Sequence, residues 1–316
     1  MLLIIIIAFG ATFLIHKNNF SQSFLTVLYI IQIHALLSFI FSIFFEEYLQ
    51  SFLLHGEKLY DTFYYIFFYR IEASRTSFYG IQFIRNLGLF WEPGILQIFL
   101  NLLLYYQLFE KKTPKVKIVL TLFLIITTYS TTGYLIMLLL IAYKYKSILS
   151  LKHFPYLLIS FTFTLILFFP IISYHFENKV LGEKVMSTTV RVFDAIQSIK
   201  IIADYPITGI GLTWELYEKL QLSYKEVFGL VVIDVQGNTN SILSTIILFG
   251  LPTGFLFILA LYFQDLIGSK YKQFIFILLL ICLNSEPLLL RPFFMLLIFN
   301  GMVNIISRPK PVHLHQ

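Results

Sequence analysis

Nine apolar runs, nearly free of charge along their middles, govern what this chain can become. They lie near residues 2–16, 24–45, 94–109, 116–130, 131–143, 154–173, 241–264, 273–287 and 292–306. Crossing the hydrocarbon of a bilayer takes about 20 apolar residues. A water-facing surface needs charge, and a soluble domain typically has about 25% charged residues. This chain has 13% charged and 58% hydrophobic residues, so it has no polar coat for water. The expected fold is an all-α polytopic membrane protein with about nine transmembrane segments. The run from Leu2 to Ile15 has no basic segment before it and no small-residue cleavage site, so it reads as a membrane segment rather than a signal peptide.

Charge orders the runs. Lys17, the cluster Lys111, Lys112, Lys115 and Lys117, then Lys144, Lys146, Lys152, Lys270, Lys272, Arg308 and Lys310 all flank spans. The positive-inside rule puts them in the cytoplasm. Lysines at both ends of 116–146 demand an even number of crossings, met by a hairpin turning at Ser130-Thr131-Thr132-Gly133. The same logic makes 273–306 a hairpin turning at Asn284-Ser285-Glu286-Pro287. Small hydroxyl residues, glycine and proline are suitable breakers where their backbone groups face protein or water. Nine crossings put the N-terminus outside, the less common arrangement, as expected of a chain that begins late, with one or more leading spans missing.

This topology defines three regions. Residues 1–173 form an N-terminal transmembrane bundle with an outer loop at 46–93. Residues 174–240 form a large extracytoplasmic loop. Residues 241–316 form C-terminal transmembrane segments and a short cytoplasmic tail. The two outer loops hold fourteen of the seventeen acidic residues, together with Arg70, Arg75, Arg85 and Arg191. Arg291 lies near the outer turn of the last hairpin. Five of six arginines are therefore on or near the outer side, while the cytoplasmic flanks are mostly lysine. Lysine serves topology as a point charge, and arginine offers a planar fork for phosphate and carboxylate. The segregation points to an anion site on the outer face, or to arginines paired with nearby loop acids. The net charge of +6 is distributed for topology and gives no nucleic-acid surface.

Three outer stretches carry candidate chemistry. Arg85-Asn86-Leu87-Gly88-Leu89-Phe90-Trp91-Glu92-Pro93-Gly94 places an arginine and a glutamate at the mouth of a span, where charge is costly. An interfacial anchor with Trp91 in the aromatic belt is the plainer reading. Residues 187–204 form an amphipathic helix, with Val190, Phe193, Ile196, Ile199, Ile201 and Ile202 as apolar positions and Arg191, Asp194, Gln197, Ser198 and Lys200 as polar ones. Such a helix suits the membrane surface, with arginine facing a headgroup. It stops at Pro206, followed by Gly209 and Gly211, which permit a tight turn or close backbone approach. Asn238-Thr239-Asn240-Ser241 directly precedes a span, either as a helix cap or as hydrogen-bonding groups for sugar or phosphate. The seven histidines show no metal-ligand spacing, and there is no phosphate-binding loop or nucleophile elbow. No metal or cofactor is expected. Cys282, the single cysteine, excludes an internal disulfide framework.

Taken in order, these stretches resemble the bacterial O-antigen polymerase and O-antigen ligase superfamily. The similarity lies in Arg85 to Gly94, an arginine, glycine and Phe-x-Glu-Pro pattern before a span. It continues in the small-residue turn Ser130-Thr131-Thr132-Gly133. It is carried further by Arg191, then Asp204-Tyr205-Pro206-Ile207-Thr208-Gly209-Ile210-Gly211, then Asn240-Ser241, Leu243 and Gly250. Ser285-Glu286-Pro287 is a looser echo. Thr239 stands where the family has a histidine that is prominent in the ligases, so the chain leans toward a polymerase.

The resemblance implies a GT-C-type helical bundle in the bacterial cytoplasmic (inner) membrane, catalysing glycosyl transfer without a metal. The substrate would be an undecaprenyl-diphosphate-linked oligosaccharide on the outer leaflet. Other partners would be membrane lipids, a chain-length regulator and a flippase. The product would be a surface polysaccharide, an O-antigen of lipopolysaccharide or a capsule. Arg191 and Arg85 would clamp the diphosphate, with Arg75 or Arg291 in support. Glu92 is the first candidate for general base, with Glu286 and Asp234 behind it. Thr239, Asn240 and Ser241 would orient sugar or phosphate. Two alternatives stay open: a ligase transferring glycan to another acceptor, and a glycolipid transporter. Transporters show related halves and broken helices, and no repeat between halves is evident here.

Overall fold

A computed structural model describes residues 2–14, 17–54, 58–64, 66–70, 75–78, 81–145, 185–212, 214–228, 238 and 240–307. In chain order the elements are α1 (Leu2–Leu14), α2 (Lys17–Phe44), β1 (Gln50–Leu54), β2 (Lys58–Phe63), β3 (Phe67–Arg70), β4 (Arg75–Phe78) and β5 (Ile81–Ile84). There follow α3 (Pro93–Tyr105), α4 (Lys115–Thr127), α5 (Thr131–Tyr145), α6 (Val185–Asp204), α7 (Trp214–Phe228), α8 (Ser241–Phe263), α9 (Lys272–Ser285) and α10 (Pro292–Ile306). Eight of the nine apolar runs fall on helices, and the ninth, 154–173, lies outside the described residues. Two helical stretches, Asn19–Phe44 and Ser241–Phe263, are long and apolar enough to cross a bilayer. Their 26 and 23 residues give lengths of roughly 39 and 35 Å, against about 30 Å of hydrocarbon. Thr131–Tyr145, Lys272–Ser285 and Pro292–Ile306 are shorter apolar helices.

The mostly helical fold is as expected, with short strands added in one segment. The 46–93 segment contains a three-stranded antiparallel sheet, β1-β2-β3, and a hairpin, β4-β5. Alternation explains it. In β2 and β3, Tyr60, Thr62, Phe67 and Tyr69 are buried, at the period of two that turns one face inward. Across the sheet Ser51 faces Asp61, and its hydroxyl donates to the carboxylate at 2.6 Å. Tyr69 donates to the Ser38 carbonyl of α2 at 2.7 Å, and Phe67 stacks on Phe41. The sheet is thus seated on the C-terminal end of α2.

The chain forms two compact units. One is Gln22–Lys184 and the other joins Met1–Ser21 to Val185–Gln316. In the first, α3 is apolar on nearly all sides, and Leu96, Ile98, Leu100, Leu103, Leu104 and Tyr105 are fully buried. A helix of that kind belongs in the middle of a bundle. It packs on α4 and α5. Gly133 permits this closeness, because a Cβ there would lie 2.9 Å from Gln97 Cβ. Gln32 of α2 donates to Thr121 of α4 at 2.8 Å, and Thr121 donates to Gln107 at 2.8 Å. Polar bonds of this kind hold helices together where apolar surface alone cannot. Along α2, Val27, Ile30, Ile33, Leu37 and Ile40 remain exposed at helical spacing.

In the second unit α8 is the hub, packing on α6, α9 and α10. Gly301 of α10 lies so close to α8 that an added Cβ would sit 1.8 Å from the Ala260 carbonyl oxygen. Close backbone approach at small residues is the usual basis of helix association in membranes. Asn304 donates to the Phe263 carbonyl at 3.0 Å and Asn300 accepts from the Asp265 amide at 3.0 Å, which fixes the end of α8 on α10. A break between consecutive helices lies at each expected turn; α4 packs on α5, whereas α9 and α10 each pack on α8. The breaks are 128–130 and 286–291, so Thr131-Thr132-Gly133 opens α5 rather than forming the turn.

Candidate functional site

In the first unit the Arg85–Gly94 stretch is docked on the turn after α4. Arg85 Nε donates to the Thr128 carbonyl at 3.1 Å and Nη2 to the Tyr129 carbonyl at 3.3 Å. The Asn86 amide donates to the Thr127 carbonyl at 3.0 Å. Asn86 Nδ2 also reaches the Ala35 carbonyl at 2.9 Å and Thr127 Oγ1 at 3.2 Å. The last carbonyls of a helix lack intrahelical donors, and a cation there suits the helix dipole. Arg85 and Asn86 therefore complete the C-terminus of α4. Asn86 Oδ1 accepts from the Gly88 amide at 3.0 Å. Gly88 has φ 56, and Leu96 is 3.0 Å from where a Cβ would be. The chain then turns into α3, with Glu92 at its N-cap position and Pro93 next. The Glu92 side chain makes no cap bond and is partly exposed, and Trp91 is exposed.

In the second unit Pro206–Gly211 lies against a break in α8. Gly250 has φ 80 and ψ 168, and Pro252 follows it. The break frees backbone groups that the loop satisfies. Ile210 N donates to the Ile247 carbonyl at 2.8 Å, Gly211 N to the Leu248 carbonyl at 3.0 Å, and Leu251 N to the Pro206 carbonyl at 2.8 Å. Gly209, at φ 65, would place a Cβ 2.5 Å from the Ile247 carbonyl oxygen. Two backbones meet here with no room for side chains.

At the start of α8, Asn240 Oδ1 accepts from the amides of Ile242 at 2.9 Å and Leu243 at 3.0 Å. This is a helix cap. Asn240 Nδ2 donates to Asn284 Oδ1 at 2.5 Å. The Ser241 hydroxyl donates to the Glu286 carbonyl and accepts from the amides of Leu288 and Leu289. Asn240 and Ser241 thus hold the 284–289 turn, in which Glu286 is buried. Arg291 is exposed at the N-cap of α10. A cap of this kind contributes about 1 kcal/mol. Asn240→Ala is expected to lower stability by about 1–2 kcal/mol, read as a lower Tm of the purified protein. Asn240→Asp, which keeps the cap acceptor, should recover most of the loss.

Helix α6 differs from its expected orientation. Asp194, Gln197 and Ser198, expected to face water, are 2%, 1% and 0% exposed. Val192, Ile196 and Ile199 are 54%, 41% and 63% exposed, as suits apolar positions of a helix on the membrane surface. On a helix of 3.6 residues per turn, Arg191 falls on the border between these two stripes, and it is exposed. Burial of the polar stripe has a cause: α7 and Asn238 supply a polar neighbourhood. Tyr217 and Gln221, one turn apart on α7, are buried. Asn238 Nδ2 donates to Ser198 Oγ at 2.6 Å, and Asn238 Oδ1 accepts from the Asn240 amide at 2.8 Å. Burial, and after it the Asp194 carboxylate, push the Tyr217 phenol above its ordinary range. Below this cluster Ile201, Ile210, Tyr217 and Ile247 form an apolar core.

Residues 117–259 match the family model described as O-antigen ligase. This match supports the resemblance to the O-antigen ligase and polymerase superfamily. No curated protein and no solved structure matches it. The two helices long and apolar enough to cross a bilayer and the exposed apolar stripe of α2 agree with lipid as its surroundings.

The O-antigen ligase segment contains Arg191, the Pro206–Gly211 loop, Asn240, Ser241 and Gly250, and leaves Arg85, Glu92, Glu286 and Arg291 outside. Arg85 and Glu92 belong to one unit, and Arg191, Asn240, Ser241, Glu286 and Arg291 to the other. The Arg85 stretch and the small-residue hairpin are brought together, and so are Asn240-Ser241 and the Glu286 turn. Arg75 lies in β4, opposite Ile84. Thr239 and Asp234 lie outside the described residues. Sequence reasoning gave no role to Asn86, Gln197 or Tyr217. The spacing 194, 197, 198, 201 was visible as one helical face, but nothing local said that this face is the buried one.

Proposed function

We propose that this protein is a polymerase that joins undecaprenyl-diphosphate-linked repeat units into a surface polysaccharide on the outer face of the cytoplasmic membrane. The observation that carries the reading is the position of Arg191. It stands on the border between an exposed apolar stripe and a buried polar stripe of α6, within the O-antigen ligase segment. A polyprenyl diphosphate sugar has the same order of parts: apolar chain, anionic diphosphate, polar ring. Val192, Ile196 and Ile199 suit the interfacial lipid, and a guanidinium suits the diphosphate.

In the proposed reaction a hydroxyl of one lipid-linked glycan attacks the anomeric carbon of another. The new C–O bond forms as the bond from that carbon to the diphosphate oxygen breaks. The hydroxyl proton passes to a carboxylate, for which Glu286, in the same unit as Arg191, is the candidate. The polyprenyl diphosphate leaves with the bonding electrons, and Arg191 neutralises the developing charge, with Arg291 in support. Cationic donors aimed at the leaving group make a metal unnecessary to this scheme. We assign Arg85 to bracing, because two of its donors hold the α4 turn next to the entry into α3. Thr239, in place of the family histidine, favours a polymerase. The ligase description of the matched family favours transfer to another acceptor as the second reading.

Deleting the gene separates the two. Loss of a polymerase is expected to leave single repeat units on the final acceptor. Lipid-linked polymer with no attached product would instead identify a ligase. Gel analysis of surface glycan beside the extracted lipid-linked pool reads both outcomes.

A further inference from the structure

We propose that the buried polar stripe of α6, closed over by α7, is a binding site for a sugar ring of the lipid-linked glycan. The inference rests on the transferase reading above and assigns the substrate's polar end to named residues. Gln197 carries it. Its residue is 1% exposed, and neither Oε1 nor Nε2 meets a hydrogen-bonding partner among the described residues. Buried amides are normally paired, so an amide with both ends open calls for a partner from outside the chain. Its acceptor and its two donors lie side by side. Neighbouring hydroxyls on a sugar ring, each able to donate and to accept, match that pair.

The neighbours fit the same ligand. Asp194 lies one turn before Gln197 and is buried, so it would accept from a hydroxyl and repel a phosphate. Ser198 and Asn238 are already joined to one another, which holds the wall of the site in place. Tyr217 contributes a buried ring from α7. Gln197 follows Arg191 by six residues, about 9 Å along the helix axis. With Arg191 on the diphosphate, the first sugars reach the polar stripe while the prenyl chain leaves over Val192, Ile196 and Ile199. The site is closed, so a sugar enters as α7 lifts from α6.

Gln197→Leu tests this without unfolding the protein. The change keeps the volume and removes no hydrogen bond within the described chain, so Tm should hold or rise. Two assays use the lipid-linked repeat unit extracted from cells lacking the gene. In the first, transfer by the purified full chain in nanodiscs is expected to show KM raised at least tenfold, with kcat changed less than twofold. In the second, the oligosaccharide freed from its lipid by mild acid is expected to raise the Tm of the wild type and not of Gln197→Leu. If Gln197→Leu matches the wild type in KM and in the ligand-induced Tm shift, the site holds only water and the inference falls. If the wild type transfers nothing yet shows a Tm shift that Gln197→Leu abolishes, the transferase reading fails and the sugar site stands. If the free glycan shifts neither protein and the wild type is inactive, both fail.

Discussion

Arg191→Ala is expected to reduce polymer formation by about two to three orders of magnitude while leaving the protein folded. The size follows from what one preorganised donor contributes at a developing negative charge, about 3–4 kcal/mol of barrier. The survival of the fold follows from position. Arg191 is exposed at the edge of the interfacial face of α6, and surface substitutions generally change stability by no more than about 0.5 kcal/mol. Arg191→Lys keeps a charge but loses the planar fork that grips two oxygens at once, so its activity should lie between those of wild type and alanine. The check is the chain-length distribution of surface glycan in a deletion strain carrying each variant, with protein quantified by immunoblot. Full-length polymer from Arg191→Ala at normal protein level would remove the residue from the mechanism.

Gly250→Ala is expected to act through the fold. The backbone there has φ 80, a region that costs an alanine about 1–2 kcal/mol. The added Cβ would lie 2.0 Å from the Ile207 carbonyl oxygen, so the Pro206–Gly211 loop would have to withdraw. Withdrawal breaks the bonds from Ile210 to Ile247, from Gly211 to Leu248 and from Leu251 to Pro206, each contributing about 1 kcal/mol net. The total is about 4–5 kcal/mol, enough to remove most of the folded protein from the membrane. Gly10→Ala is the control, since nothing lies within 4 Å of a Cβ at that position and alanine favours a helix over glycine. Membrane protein levels and Tm read both variants. A normally folded Gly250→Ala protein would mean that the loop does not seat on the broken helix.

The resemblance motifs were legible as residues but not as contacts. Pro206, Gly209, Gly211 and Gly250 lie some 40 residues apart at their extremes, and as a lone glycine pair they carry little meaning. In space the loop and the helix break complete each other's hydrogen bonds. Asn240 and Ser241 read equally well as a cap or as substrate ligands. Their bonds to Ile242, Leu243, Asn284 and the Glu286 turn make the cap the observed role. Span length alone does not show the strands, although Tyr60, Thr62, Phe67 and Tyr69 carry the alternation of β2 and β3.

Apolar run length indicated in advance where most of the described helices lie and where the chain breaks between them. These are one-dimensional quantities, because transfer free energy adds residue by residue along a span. Which face of α6 turns inward could not be read that way. Ile196 and Ile199 are as apolar as Ile201, yet only Ile201 is buried. The choice depends on Tyr217, Gln221 and Asn238, brought alongside from elsewhere in the chain, and on lipid or protein waiting at the other side. Burial is a property of neighbours, and neighbours distant in sequence exist only once the chain is folded.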